Sequence, residues 1–143
     1  MKLYTWVLSR VIFVVLAIAV LLLLSSGNPE ATKAGQLSPK YDPAKEVVTT
    51  GVVEEVRVFD CLLSGGPGIH LALRTNTEPL IVHVAPTRFT EAQQFTVAKG
   101  DQVKTAGAKV RYRGGEAVIA REITTQSQIF TFRRPDGKPL WEE

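Results

Sequence analysis

One cysteine among 143 residues excludes an internal disulfide, so a core must hold this chain together. Histidine is almost as scarce, with two copies, and aromatic residues make up 8%. Charge of one sign is also missing from the bulk of the chain. Lys2 and Arg10 account for two of the 17 basic residues, leaving 15 against 14 acidic residues from Asn28 onward. That near balance does not suggest a binder of duplex nucleic acid. A hydrophobic content of 45% excludes a wholly disordered chain, and there is no repeat of the collagen kind. Only one long apolar run occurs, which excludes a polytopic membrane protein. Beyond it, about 100 residues remain, enough for one domain.

That run is Val11 to Leu24, 14 apolar residues preceded by Lys2 and Arg10 and by no acid. Ser25, Ser26 and Gly27 follow, then Asn28-Pro29. A basic start, an apolar stretch and small residues match a secretory signal. As a helix, 14 residues reach roughly 21 Å, short of the ~30 Å hydrocarbon core. An uncleaved anchor over Leu3 to Leu24, with Arg10 snorkelling, is the rival reading. Either way residues 1–27 address the rest outward, to the periplasm or to the outer face of the cytoplasmic membrane, because the positive charges come first. Residues 28–45 carry three prolines and one glycine in 18 positions and follow no period, so they read as a flexible tether.

From residue 46 on, strand patterns take over. Val48, Thr50, Val52, Val56 and Val58 share one parity, which predicts a long first strand with that face buried and Glu54 as the exception. Gly51 within it predicts a bulge or bend. Ser64 to Gly68 is a loop by composition. Ile69, Leu71 and Leu73 alternate with His70, Ala72 and Arg74; Leu80, Val82 and Val84 alternate with Ile81 and His83. These predict strands two and three, joined as a hairpin through Asn76 to Pro79. Residues 86–95 predict a short helix capped by Thr87, with Phe89, Ala92 and Phe95 on one face. A fourth strand runs through Val103 to Tyr112, with Gly107 as a bulge. A tight turn at Arg113 to Glu116 leads to a fifth around Ile119 and Ile123. Ile129 to Arg133 predicts a sixth, and Leu140-Trp141 an apolar flap behind a Pro135-Asp136-Gly137 turn.

Three features give the segment its likeness to a known fold: the long first strand with Gly51, the helix between strands three and four, and Gly100-Asp101-x-Val103 opening strand four. Together they resemble an OB-fold barrel of the nucleic-acid-binding-like type. With Ile119-Ala120-Arg121-Glu122 in the next strand, the segment also resembles small exported bacterial OB-fold proteins. The expected class is therefore all-β: a small OB-fold-like barrel of five or six strands over residues 46–143, preceded by an N-terminal apolar helix. Closure would remove exposed strand edges.

The resemblance implies a binding face on strands two and three, flanked by the loops at Cys61 to Gly68 and Arg113 to Glu116. Candidate ligand-binding residues are His70, Arg74, Ile81, His83, Arg111 and Arg113. Three kinds of ligand compete. Residues 99–134 hold eight basic residues against Asp101, Glu116 and Glu122, which would suit single-stranded nucleic acid. The proposed face carries no aromatic platform, however, and nucleic acid is not favoured. A metal would find His70 and His83 opposite each other, since hairpin partners have numbers summing near 153. Cys61 stands off on the adjoining loop, read as a buried small hydrophobe, so the ligands are too few to assign a metal or a cofactor. The favoured reading is a non-catalytic extracytoplasmic binding module. Its partner would be a protein, peptide or small ligand of the cell envelope, with the membrane as a further partner if the N-terminal segment is retained. No enzyme is indicated: Glu54 and Glu55 point to opposite strand faces, and no nucleophile motif surrounds Ser64.

Overall fold

Alternating apolar residues between turn signals build the strands. The structure, a computed structural model, describes residues 38–143. The apolar run and most of the tether, residues 1–37, lie outside the described residues. Six strands follow one another: β1 (Glu46–Cys61), β2 (Gly66–Arg74), β3 (Pro79–Pro86), β4 (Gln102–Tyr112), β5 (Gly115–Thr124) and β6 (Ile129–Thr131). One short helix, α1 (Thr87–Ala92), separates β3 from β4, and 3-10 turns stand at Pro43–Lys45 and Leu140–Glu142. No helix among the described residues is long and apolar enough to cross a membrane.

The sheet has the order β3-β2-β1-β4-β5-β6, with antiparallel neighbours. A parallel pairing of β3 with β5, through Ile81↔Ala117, Val82↔Val118 and His83↔Ile119, curls it into a barrel-like body. Closure is uneven, since this seam has three residue pairs while β1 and β2 share nine. The class is thus all-β with one short α-helix, as the patterning predicts.

β1 makes the curling possible. Its 16 residues would span about 50 Å if straight, far more than a domain of this size can accommodate. Its first half pairs with β4 and its second half with β2, and Val52 pairs with both Gln102 and Arg74. Gly51 stands beside this crossing, where a Cβ would lie 3.0 Å from the Arg74 carbonyl oxygen. Of the bulge or bend expected at Gly51, a bulge is found a little further on, between Val53 and Glu55, with Glu54 as the extra residue. The Gly107 bulge is where the sequence places it, between Ala106 and Gly107. A Cβ at Gly107 would run into the Ile119 carbonyl and come within 2.7 Å of Val118 Cγ1.

The parity expected for β1 is corrected. Val48, Val56 and Val58 are exposed, at 62%, 38% and 57%, while Val53 is buried. Valine here serves the extended backbone rather than the core. Inside, Leu71, Leu73, Val82, Val103, Ile123 and Phe132 pack without solvent access to speak of. Each contributes roughly 1.5–3 kcal/mol by burial. The helix is shorter than residues 86–95. Pro86 occupies the cap position, and the Thr87 hydroxyl donates to the Pro67 carbonyl rather than capping. Phe89 packs edge-on to Trp141, and Phe95 packs edge-on to Phe130 and Phe132, so this segment covers part of the core. Strand six ends at Thr131, two residues earlier than the pattern predicts.

At the start of β1, the Arg121 guanidinium forks onto Glu46, with Nη2 to Oε1 at 2.7 Å and Nε to Oε2 at 3.0 Å. Tyr41 donates its hydroxyl to the same carboxylate at 2.6 Å. This ties the described end of the tether segment to the sheet.

Candidate metal centre

A four-residue connection between Cys61 and Gly66 returns the chain from β1 to β2, with Ser64 N–H donating to the Cys61 carbonyl at 3.0 Å. Phe59 and Cys61, two apart on β1, share a face. Across β2 and β3, His70 stands directly opposite His83, as the hairpin numbering predicts. A register shift between Gly68 and His70 bends this end of the hairpin.

Both imidazoles are buried, at 1% and 4% exposure. The binding face expected on strands two and three is therefore covered at these two residues. The sheet curls, and neighbouring rings cover them. Phe59 stacks on His70 with centroids 3.8 Å apart and planes 8° from parallel. His70 meets His83 edge-on at 4.5 Å, and His83 meets Tyr112, at the end of β4, edge-on at 4.7 Å. The Arg113 guanidinium caps the group, 5.2 Å from the Tyr112 ring and 6.0 Å from the Phe59 ring.

The hydrogen bonds fix how the imidazoles are presented. His70 Nδ1 lies 3.1 Å from the Gly68 carbonyl oxygen. A carbonyl only accepts, so Nδ1 carries the proton and Nε2 keeps a bare lone pair. That Nε2 has no partner, and neither has His83 Nε2. Each unmet buried polar atom costs about 1–3 kcal/mol. His83 Nδ1 is 3.7 Å from Cys61 Sγ, and Cys61 is itself buried. Burial pushes both imidazoles down to about 4; the His83 pKa is further lowered by His70 and by the Arg113 charge. Both are neutral at pH 7, the form that ligates a metal.

One donor atom from each of Cys61, His70 and His83 lies within 4.8 Å of the others. Donors around a four-coordinate zinc or copper, with bonds of about 2.0–2.3 Å, sit roughly 3.4–3.8 Å apart. The Cys61–His83 pair is already at that spacing, and the set closes with a shift of about 1 Å.

A cavity of about 240 Å³ opens against the two imidazoles, with Phe59, Ile81, Tyr112 and Arg113 among its walls. Of the residues nominated from sequence, His70, Ile81, His83 and Arg113 meet here. Arg74 does not: it pairs with Glu54 at 3.2 Å on the exposed surface. Arg111 is exposed on β4 and does not line the cavity. Phe59 and Tyr112 were missed, although the spacing of Phe59 and Cys61 on one strand was the available signal. Cys61, read as remote from the histidines, is in contact with one of them. Phe130 and Phe132 are in the core.

Residues 46–130, more than half of the chain, match the model of the MamS/MamX magnetosome protein family. The span runs from the first residue of β1 into β6 and contains Cys61, His70 and His83. No curated protein matches the chain.

Proposed function

The chain belongs to the MamS/MamX magnetosome protein family, and we propose that its folded part is a non-catalytic, exported binding module whose ligand is a transition-metal ion. One observation carries this reading: a thiol and two imidazoles converge in a buried place, where His83 turns Nδ1 toward the Cys61 sulfur and His70 Nε2 lacks a partner. A thiolate with two imidazoles is a borderline-soft donor set, suited to zinc or copper and poor for magnesium or calcium. The Gly68 carbonyl that holds His70 supplies the outer hydrogen bond that metal-ligating histidines ordinarily have.

The fold reading belongs to the same proposal. The closed ring of pairings, β1 with β2 and β4, β3 with β2 and β5, and β4 with β5, supports an OB-fold-like barrel. The metal site then sits on the hairpin face where such barrels bind. The charge order around residues 11–24 supports delivery outside the cytoplasm, free or held at the membrane.

The test uses the full chain, purified free of metal and titrated with cobalt(II) as a spectroscopic probe, then competed with zinc and copper(I). One metal per chain is expected, with a thiolate-to-cobalt charge-transfer band that disappears in Cys61→Ser. His70→Ala/His83→Ala should abolish stoichiometric loading. Titrations showing no saturable binding, or binding that the three substitutions leave unchanged, would overturn the proposal.

A further inference from the structure

Resting on the metal reading above, we propose that the centre is completed by a small anion from solution, held between the metal and the Arg113 guanidinium. Three observations lead there. Only Cys61, His70 and His83 converge among the described residues. Zinc bound by three protein donors characteristically keeps a fourth position for an external ligand. The cavity provides the room for one: it lies against both imidazoles and holds about 240 Å³. That suits a group of a few heavy atoms and is below the size of pockets for drug-sized ligands.

Charge decides what kind of group enters. A divalent ion with a single thiolate leaves one unit of positive charge, and the exposed Arg113 on the cavity wall adds another. Arg113 makes no ion pair among the described residues, although other charges near the cavity are engaged. Arg57 pairs with Glu55 at 2.5 Å, and Glu116 pairs with Lys109 at 3.7 Å. Glu116 lines the cavity but does not belong to the group of converging donors. The surplus is positive and the walls are largely aromatic and aliphatic, so the field of the site favours an anion over a neutral ligand, although Arg113 itself is exposed to solvent. A carboxylate, bicarbonate or phosphate oxygen would meet the metal on one side and the guanidinium fork on the other. Arg113 is then a positioning residue for the anion and no metal ligand.

The fold supports Arg113 in this place. It occupies the tight turn between β4 and β5 with φ of 49°, followed by Gly114 at φ of 82°. Its guanidinium lies over Tyr112 and Phe59, the two rings that pack on His83 and His70.

The test loads the full chain with cobalt(II) and titrates azide, acetate, bicarbonate and phosphate separately while the visible bands are followed. At least one anion is expected to shift the bands saturably. Arg113→Gln should weaken that anion about tenfold or more, the loss of a charge-assisted hydrogen bond, with cobalt affinity unchanged within threefold. Arg113→Lys should recover part of the anion affinity, because the charge returns without the fork. Bands indifferent to all four anions in cobalt-loaded protein would overturn this inference and leave the metal reading standing. An anion response equal in Arg113→Gln, or one that appears only in Glu116→Gln, would also overturn it. Failure of cobalt to bind would remove both.

Discussion

Replacing His83 with phenylalanine separates a ligand-binding role for the imidazole from a structural one. In the metal-free protein the wild-type ring buries an Nε2 without a partner, at a cost of about 1–3 kcal/mol. Phenylalanine removes that atom and keeps the edge-on contacts to His70 and Tyr112, worth about 0.5–1.5 kcal/mol each. The contact of Nδ1 with Cys61 Sγ at 3.7 Å is too long to offset much. The larger ring has the adjoining 240 Å³ cavity to move into. The metal-free variant should therefore be more stable than wild type by about 1–2 kcal/mol, which raises Tm by roughly 4–12 °C for a domain of this size. Zinc at 100 times its dissociation constant should stabilise wild type by about 2.7 kcal/mol and the variant by nothing. The order of stabilities then reverses on adding metal. Thermal unfolding of the full chain followed by circular dichroism, with zinc and with a chelator, reads both halves. A metal-free variant destabilised by more than about 2 kcal/mol, or equal zinc responses in the two proteins, would refute the reasoning.

Two other expectations follow from the fold. Arg121 bonding holds the Glu46 carboxyl below its ordinary value. A carboxylate whose folded value is depressed stabilises above its unfolded value of about 4.5 and loses that contribution as pH falls through the folded one. Arg121→Gln should thus move the midpoint of acid unfolding upward, with the difference from wild type shrinking as pH falls through the folded value, as fluorescence-monitored titration would show. Val58→Thr and Val56→Thr should change stability by no more than about 0.5 kcal/mol in chemical denaturation, because both side chains face solvent; a loss of 2 kcal/mol or more would restore the parity read from sequence.

The β2–β3 hairpin, its His70–His83 register and the Gly107 bulge were legible because each rests on short-range pattern. Leu71, Leu73 and Val82 were identified as core by the same alternation. β1 was misread because two physical effects hide behind one pattern. Its valines favour extended backbone, and the extra residue at Glu54 breaks the alternation in mid-strand. The burial of His70 and His83 depends on what lies across the curled sheet. Phe59 comes from β1 and Tyr112 from the far end of β4, and no local spacing connects them. Cys61 looked remote for a related reason. It ends β1 at a register, Cys61↔Gly66, that only the tight turn and the pairing of the two strands establish.

Metal-edge X-ray absorption on the zinc- or copper-loaded full chain tests the central claim most directly. The account requires one sulfur at about 2.3 Å and two imidazole nitrogens at about 2.0–2.1 Å in the shell of the bound ion. A shell made only of oxygen and nitrogen, or one that keeps its sulfur when Cys61 is replaced by serine, would contradict it.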